Sequence, residues 1–255
     1  MLKLDFNRIQ APLFEVIKEA NDNILFGLRL MDEIKTLPGL NLDQLSKDFQ
    51  ASGIRIQVGQ PIQDLNEQKR TFRTWLLKKG FEDLAKAFNL CAIEAYHLFQ
   101  LYKLNGQTIL LQELEEEIKR IKKDALSQNN FPSLLDDKLP TANMTYKEPV
   151  KSMNRVRNCL VHRNGVVTEE KDINDKANKV LRLSYYSLQT VRIDENGKET
   201  DRLENTGIGL MAKPKDKLFQ IGERIELSES EFRGCLFTCQ TFGIELTEVI
   251  KKNCP

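Results

Sequence analysis

Six consecutive residues, Arg157-Asn158-Cys159-Leu160-Val161-His162, hold the side chains best suited to chemistry on a phosphate. The chain has only two histidines, so a His five places after an Arg-Asn pair stands out by rarity as well as by type. Imidazole gives and takes protons near neutral pH. Guanidinium is the side chain best matched in shape and charge to phosphate oxygens. Together, an Arg to hold a phosphate and a His to move a proton suggest chemistry on a phosphodiester, with RNA the natural candidate.

A helix over about 145–163 must position these residues. On a wheel of about 100° per residue, Met153, Val156, Leu160 and Val161 form an apolar arc. Asn154, Asn158 and His162, spaced four apart, line the opposite side with Arg155 beside them. Arg157 projects within the apolar arc, where an unpaired buried guanidinium would be costly. It therefore needs an anion, a helix end or a second subunit. Arg157 and His162 lie well over a quarter-turn apart, and a symmetric dimer could bring both to one cleft. Arg163-Asn164-Gly165 ends the helix, with Gly165 as the left-handed cap. His162 then sits in the last turn, where the helix dipole favours its charged form. Lys151, Arg155, Arg157 and Arg163 make this the most concentrated basic patch that contains a His, suited to a phosphate backbone.

The rest of the chain supplies the scaffold. Residues 7–36 carry apolar side chains at helical spacing, stopped by Pro38-Gly39. Residues 40–62 read as a short helix followed by a strand at Ile54–Val58. A long helical region covers 64–104 with a break near Gly80, Asn105-Gly106 turns, and a strongly charged helix follows over 107–126. Residues 127–143 read as a loop. From 180 to 227 the pattern becomes β, with a turn signal at Asp194–Gly197, another turn at Lys213–Lys217 and alternation over Ile221–Leu227. Ser228 and Glu231 form a capping box that opens a final helix to about Lys252. The fold class is mainly α: most economically a single helical-bundle domain over 1–255 with a small antiparallel β insertion at about 180–227, before the C-terminal helix, the alternative being two domains split near 170.

Composition narrows the function classes. Hydrophobic content of 40% and charged content of 29% suit a globular chain rather than a disordered one. A net charge of +1 argues against a general nucleic-acid coat protein but not against a local basic site. No apolar run approaches a membrane span, and the first residues lack a signal layout, so a cytoplasmic protein with no membrane role is expected. Five scattered cysteines, Cys91, Cys159, Cys235, Cys239 and Cys254, read as buried free thiols rather than a disulfide set. Cys235 and Cys239 have no second pair nearby to complete a zinc site, so no metal and no cofactor is expected.

The Arg-Asn-x-x-x-His pattern on a late helix of a mainly α chain resembles the HEPN superfamily, whose hallmark is an Arg, a short spacer that usually begins with a polar residue, and a His. Here the spacer is Asn158-Cys159-Leu160-Val161. Outside the motif helix the likeness is one of architecture alone, and the β-rich segment departs from the minimal domain. The resemblance implies a metal-independent endoribonuclease acting as a homodimer with its site at the interface, cleaving single-stranded RNA to a 2′,3′-cyclic phosphate and a 5′-hydroxyl. His162 would be general acid or base, Arg157 would stabilise charge on the phosphoryl oxygens, and Asn158 would orient the imidazole or bond the phosphate. Lys151, Asn154, Arg155 and Arg163 would bind RNA. Phage defence or a toxin–antitoxin role, with a regulatory protein partner, follows by analogy.

Other features read more plainly. Glu94 and His97, three apart, read as structural because two ligands do not make a metal site. The runs Lys119–Lys123 and Lys213–Lys217 read as solvated faces that would extend an RNA path only if they flank the motif. No glycine-rich phosphate loop or nucleophile elbow is present, which counts against a nucleotide-handling enzyme. The rival from another class is a non-catalytic helical module that binds a protein or nucleic-acid partner.

Overall fold

The computed structural model describes residues 4–35, 64–107, 110–127, 131–168, 170–201 and 207–254. The readings of Pro38-Gly39 and of residues 40–62 lie outside these. Among these residues the fold is mainly α-helical with a small two-stranded antiparallel sheet.

A 3-10 turn, Phe6–Ile9, leads into α1 (Ala11–Ala20), which has a proline in its first turn, where a missing N–H costs nothing. A π-helical stretch, Asn21–Leu25, joins α1 to α2 (Phe26–Glu33), so the first helical run continues through a bulge. The longest element is α3 (Leu65–Lys103), whose first turn is capped by the Asp64 carboxylate accepting from the Asn66 N–H at 2.8 Å. It does not break at Gly80. That glycine lies beneath the ring of Phe232, and a Cβ there would sit 2.8 Å from Phe232 Cζ, so its small size serves helix contact rather than helix termination.

The charged helix forms as α4 (Leu111–Ser127) and packs on α3 through Ile121 and Ala125. The expected loop that follows contains two helical turns, Phe131–Ser133 and Leu134–Lys138. Burial of Phe131, Leu134 and Leu135 outweighs the polar composition around them. The motif helix is α5 (Lys147–His162), and it packs on α3.

Strands β1 (Leu181–Ile193) and β2 (Gly207–Phe219) pair from Leu181 opposite Phe219 to Ile193 opposite Gly207. The Asp194–Gly197 turn is present, with Gly197 at φ 74° and its N–H on the Asp194 carbonyl at 3.0 Å. Lys213–Lys217 is not a turn but the middle of β2. Pro214 is tolerated because it opposes Tyr186, whose N–H points away from β2 and donates to Thr238 Oγ1 at 2.7 Å. At such a pair a missing N–H removes no ladder bond. Ile221–Leu227 is likewise not a strand: it keeps a single bridge, Val166 to Arg224, with Ile225 and Leu227 buried.

The last helix, α6 (Glu229–Lys252), opens on the expected capping box between Ser228 and Glu231. It packs against α3, α5 and β1. The core between α3 and α6 is aromatic. Phe81 meets Phe232 at 5.8 Å between centroids, and Phe88, Phe131 and Phe242 form a cluster with centroids 5.7–6.5 Å apart. All five cysteines are buried and unpaired. Burial pushes the Cys91 and Cys159 thiols up to about 12, which keeps them protonated and unreactive. No helix among the described residues is long and apolar enough to cross a membrane.

Candidate functional site

The polar side of α5 faces an open cleft of about 1270 Å³. One wall is α5 itself, through Lys151, Asn154, Arg155, Arg157 and Asn158. The opposite wall is α3, through Ala85, Lys86 and Asn89, with Phe131-Pro132 at one end. The remaining wall is the start of β1, through Arg182 and Ser184, with the residues before it from Asn174 to Ala177.

The β insertion is fastened to the motif helix. Ser184 donates its N–H to Ser152 Oγ at 2.9 Å, while the Ser152 hydroxyl also donates to the Pro149 carbonyl one turn back at 2.7 Å. Asn174 caps the next position, accepting from the Arg182 N–H at 2.6 Å and donating to the Arg182 carbonyl at 2.8 Å. These side chains satisfy the free edge of β1 in place of a third strand.

Arg157 does not bury itself in the apolar arc. It is half-buried and lines the cleft. Its Nη1 donates to Asn158 Oδ1 at 2.9 Å, and its Nε is buried without a hydrogen-bond partner among the described residues. Asn89 Oδ1, also in the cleft, is likewise buried without a partner among the described residues. A buried polar atom left unpaired costs about 1–3 kcal/mol, and such atoms gather where a ligand completes them.

The lining is strongly basic. Lys86, Lys151, Arg155, Arg157, Lys176 and Arg182 stand against two carboxylates, Glu148 and Asp175. Not all of that charge is available. Lys151 reaches Glu148 at 2.9 Å and Asp136 at 3.0 Å. Partial burial alone would lower its ammonium, but the bonds to these two acids outweigh that and hold it above its usual range. Arg182 pairs with Asp175 and, at 3.0 Å, with Asp216. Asp175 is lowered to about 2, first by the Asn178 side-chain amide, then by the Asn178 backbone N–H and by Arg182. Lys86 lies 3.7 Å from Asp83, whereas Arg155, Arg157 and Lys176 make no ion pair among the described residues.

The structure thus brings Lys151, Asn154, Arg155, Arg157 and Asn158 into one cleft and leaves His162 and Arg163 outside it. His162 is exposed in the last turn of α5. It continues the stripe of Arg155 and Asn158, while Arg157 projects about 140° away from it on an ideal helix. The two do not converge within one chain. Arg163 lies with its Nε 3.9 Å from Asp172, away from the cleft. The helix ends on two left-handed residues, Asn164 at φ 51° and Gly165 at φ 74°, rather than on Gly165 alone. Gly165 is held against α3: a Cβ there would meet Thr74 Cγ2 at 3.3 Å and Leu160 Cδ2 at 3.2 Å.

Lys86, Asn89, Lys176, Arg182 and Ser184 are site residues that the sequence did not single out. Lys86 and Asn89 fall on the polar face of a long amphipathic helix, which is the one sequence signal they carry. His97 Nδ1 lies 3.7 Å from Glu94, and Glu94 also pairs with Arg8 at 2.7 Å. No group of three or more potential metal ligands occurs among the described residues. No family model, curated protein or solved structure matches this chain.

Proposed function

We propose that this protein is a metal-independent endoribonuclease of the HEPN type that acts on single-stranded RNA as a homodimer. The observation that carries the proposal is electrostatic. In a chain of net charge +1, the motif helix turns Arg157 and Asn158 into a cleft lined by six bases and two acids. An RNA backbone would run along that cleft, with one phosphate on the Arg157 guanidinium, whose Nε has no hydrogen-bond partner among the described residues.

His162 would complete the site from the second subunit. A two-fold axis near the open end of the cleft would set the exposed imidazole of one protomer beside Arg157 and Asn158 of its partner. One imidazole would take the 2′-hydroxyl proton as the oxygen attacks phosphorus. Arg157 would stabilise the charge that builds on the phosphoryl oxygens, and a second imidazole would protonate the departing 5′-oxygen. The products would be a 2′,3′-cyclic phosphate and a 5′-hydroxyl.

The test is incubation with mixed single-stranded RNAs in EDTA, beside His162→Ala and Arg157→Ala. Cleavage to cyclic ends that both substitutions abolish supports the proposal. Equal cleavage by the His162→Ala protein refutes the catalytic assignment. The second reading, a non-catalytic module that binds a polyanion, is favoured by the position of His162 outside the cleft. RNA that binds in the cleft and stays intact at every protein concentration would select it.

A further inference from the structure

An exposed aromatic pair lies on the same helix as one wall of the cleft. Phe72 and Trp75 are stacked, with ring centroids 5.7 Å apart and planes 22° apart, and they are 38% and 57% exposed. A large aromatic left in water is ordinary when it stands alone. A stacked pair is different, because each ring already presents a flat π face of fixed orientation.

Helix geometry ties the pair to the cleft. Trp75, Lys79, Glu82, Lys86 and Asn89 follow one another at spacings of four, three, four and three, so they form a single stripe on α3. Lys86 and Asn89 at one end of this stripe wall the cleft. Trp75 at the other end stands about 16 Å away along the axis, at ~1.5 Å per residue. The close approach of Thr74 to Gly165 puts the end of α5 at the same level of α3 as the aromatic pair. Along the axis of α3, His162, three residues before Gly165, therefore falls at a level between the cleft and Trp75.

We infer that Phe72 and Trp75 form a stacking platform for an unpaired base of the RNA strand whose phosphates lie in the cleft. The inference rests on the RNA-binding reading above. A single strand has phosphates for cations and flat bases for aromatic faces, and proteins that hold it combine a basic groove with such platforms. The cleft supplies the first of these and the α3 stripe leads to the second, a few nucleotides farther along the strand. A base-paired region would not fit, because its bases are already stacked on one another. The platform thus selects single-stranded over duplex RNA and sets the register of the strand past His162.

Trp75 is the only tryptophan in the chain, so its emission reports on this position alone. The probe is a mixed-sequence 2′-O-methyl oligoribonucleotide, which lacks the attacking hydroxyl and stays intact. An abasic strand of equal length and inorganic polyphosphate serve as controls, with binding followed separately by competition against a labelled strand. The expected result is quenching of Trp75 by the oligonucleotide and by neither control. Trp75→Ala should weaken oligonucleotide binding about tenfold, with polyphosphate binding unchanged and Trp75→Phe close to wild type. Oligonucleotide binding without quenching, and equal in the Trp75→Ala protein, overturns the platform and leaves the cleft reading standing. Equal quenching by the abasic strand overturns base stacking as its cause. Failure of the oligonucleotide and of polyphosphate to bind overturns the cleft reading and the platform with it.

Discussion

The two flanks of α3 are built to opposite purposes. Against α6 the helix closes completely: Phe81, Phe88, Phe232 and Phe242 are at most 1% exposed, and Gly80 lets the two helices approach within the thickness of a ring. Against α5 the same helix packs through its apolar side but leaves a cleft beside that contact, where Ala85, Lys86 and Asn89 share the lining with basic and amide side chains. One flank holds the fold and the other holds charge. A close-packed seam excludes water and ligand alike, whereas like charges along both walls of a seam cannot be brought together without an anion between them.

That contrast can be broken from either side. The largest effect is expected on the open flank. If the cleft is a ribonuclease site, Arg157→Ala and His162→Ala should each lower cleavage by about 100-fold or more. Strand affinity should fall for Arg157→Ala and hold for His162→Ala, as single-turnover assays beside binding titrations would show. On the closed flank, Phe242→Ala should destabilise the fold by about 3–5 kcal/mol, read from denaturant midpoints. A loss under ~1 kcal/mol would mean that the seam is less tightly packed than its contacts indicate.

Smaller effects sharpen the comparison. Lys86→Gln should weaken RNA binding a few-fold for all sequences and reduce the slope of log affinity against log salt by about 1. The smallest effect concerns the wall formed by β1. Asp175 is lowered to about 2 in the folded chain, so the stability it contributes is present above its unfolded value of ~3.9 and is lost as pH falls from there through about 2. Asp175→Asn should therefore be less stable than wild type at pH 6, with the difference vanishing near pH 2. A difference that persists at pH 2 would show that Asp175 acts through something other than its charge.

Much of the scaffold was legible from spacing alone. The extents of α3, α4, α5 and α6 lie within a few residues of those expected, because long amphipathic runs and the Ser228–Glu231 box are local signals. Where local signals misled, a tertiary contact explains it. Gly80 looked like a break and is a packing position under Phe232. Lys213–Lys217 looked like a turn and is a strand, because Pro214 falls where the backbone of its partner points away. Residues 131–138 looked like loop and turn helical once Phe131, Leu134 and Leu135 find the core.

The sequence by itself determined which helix carries the Arg-Asn-x-x-x-His pattern and which of its residues share a polar face, since helical periodicity fixes both. Only the tertiary structure decided what that face meets. Lys86 and Asn89 come from a helix more than sixty residues earlier in the chain, and Arg182 and Ser184 come from a strand fastened by Ser152 and Asn174. It also decided that Arg157 opens onto the cleft while His162 stays outside it. The reason is physical. Spacing along a chain sets the direction of a side chain about its own helix axis, but what lies in that direction depends on how distant elements pack to bury their apolar faces.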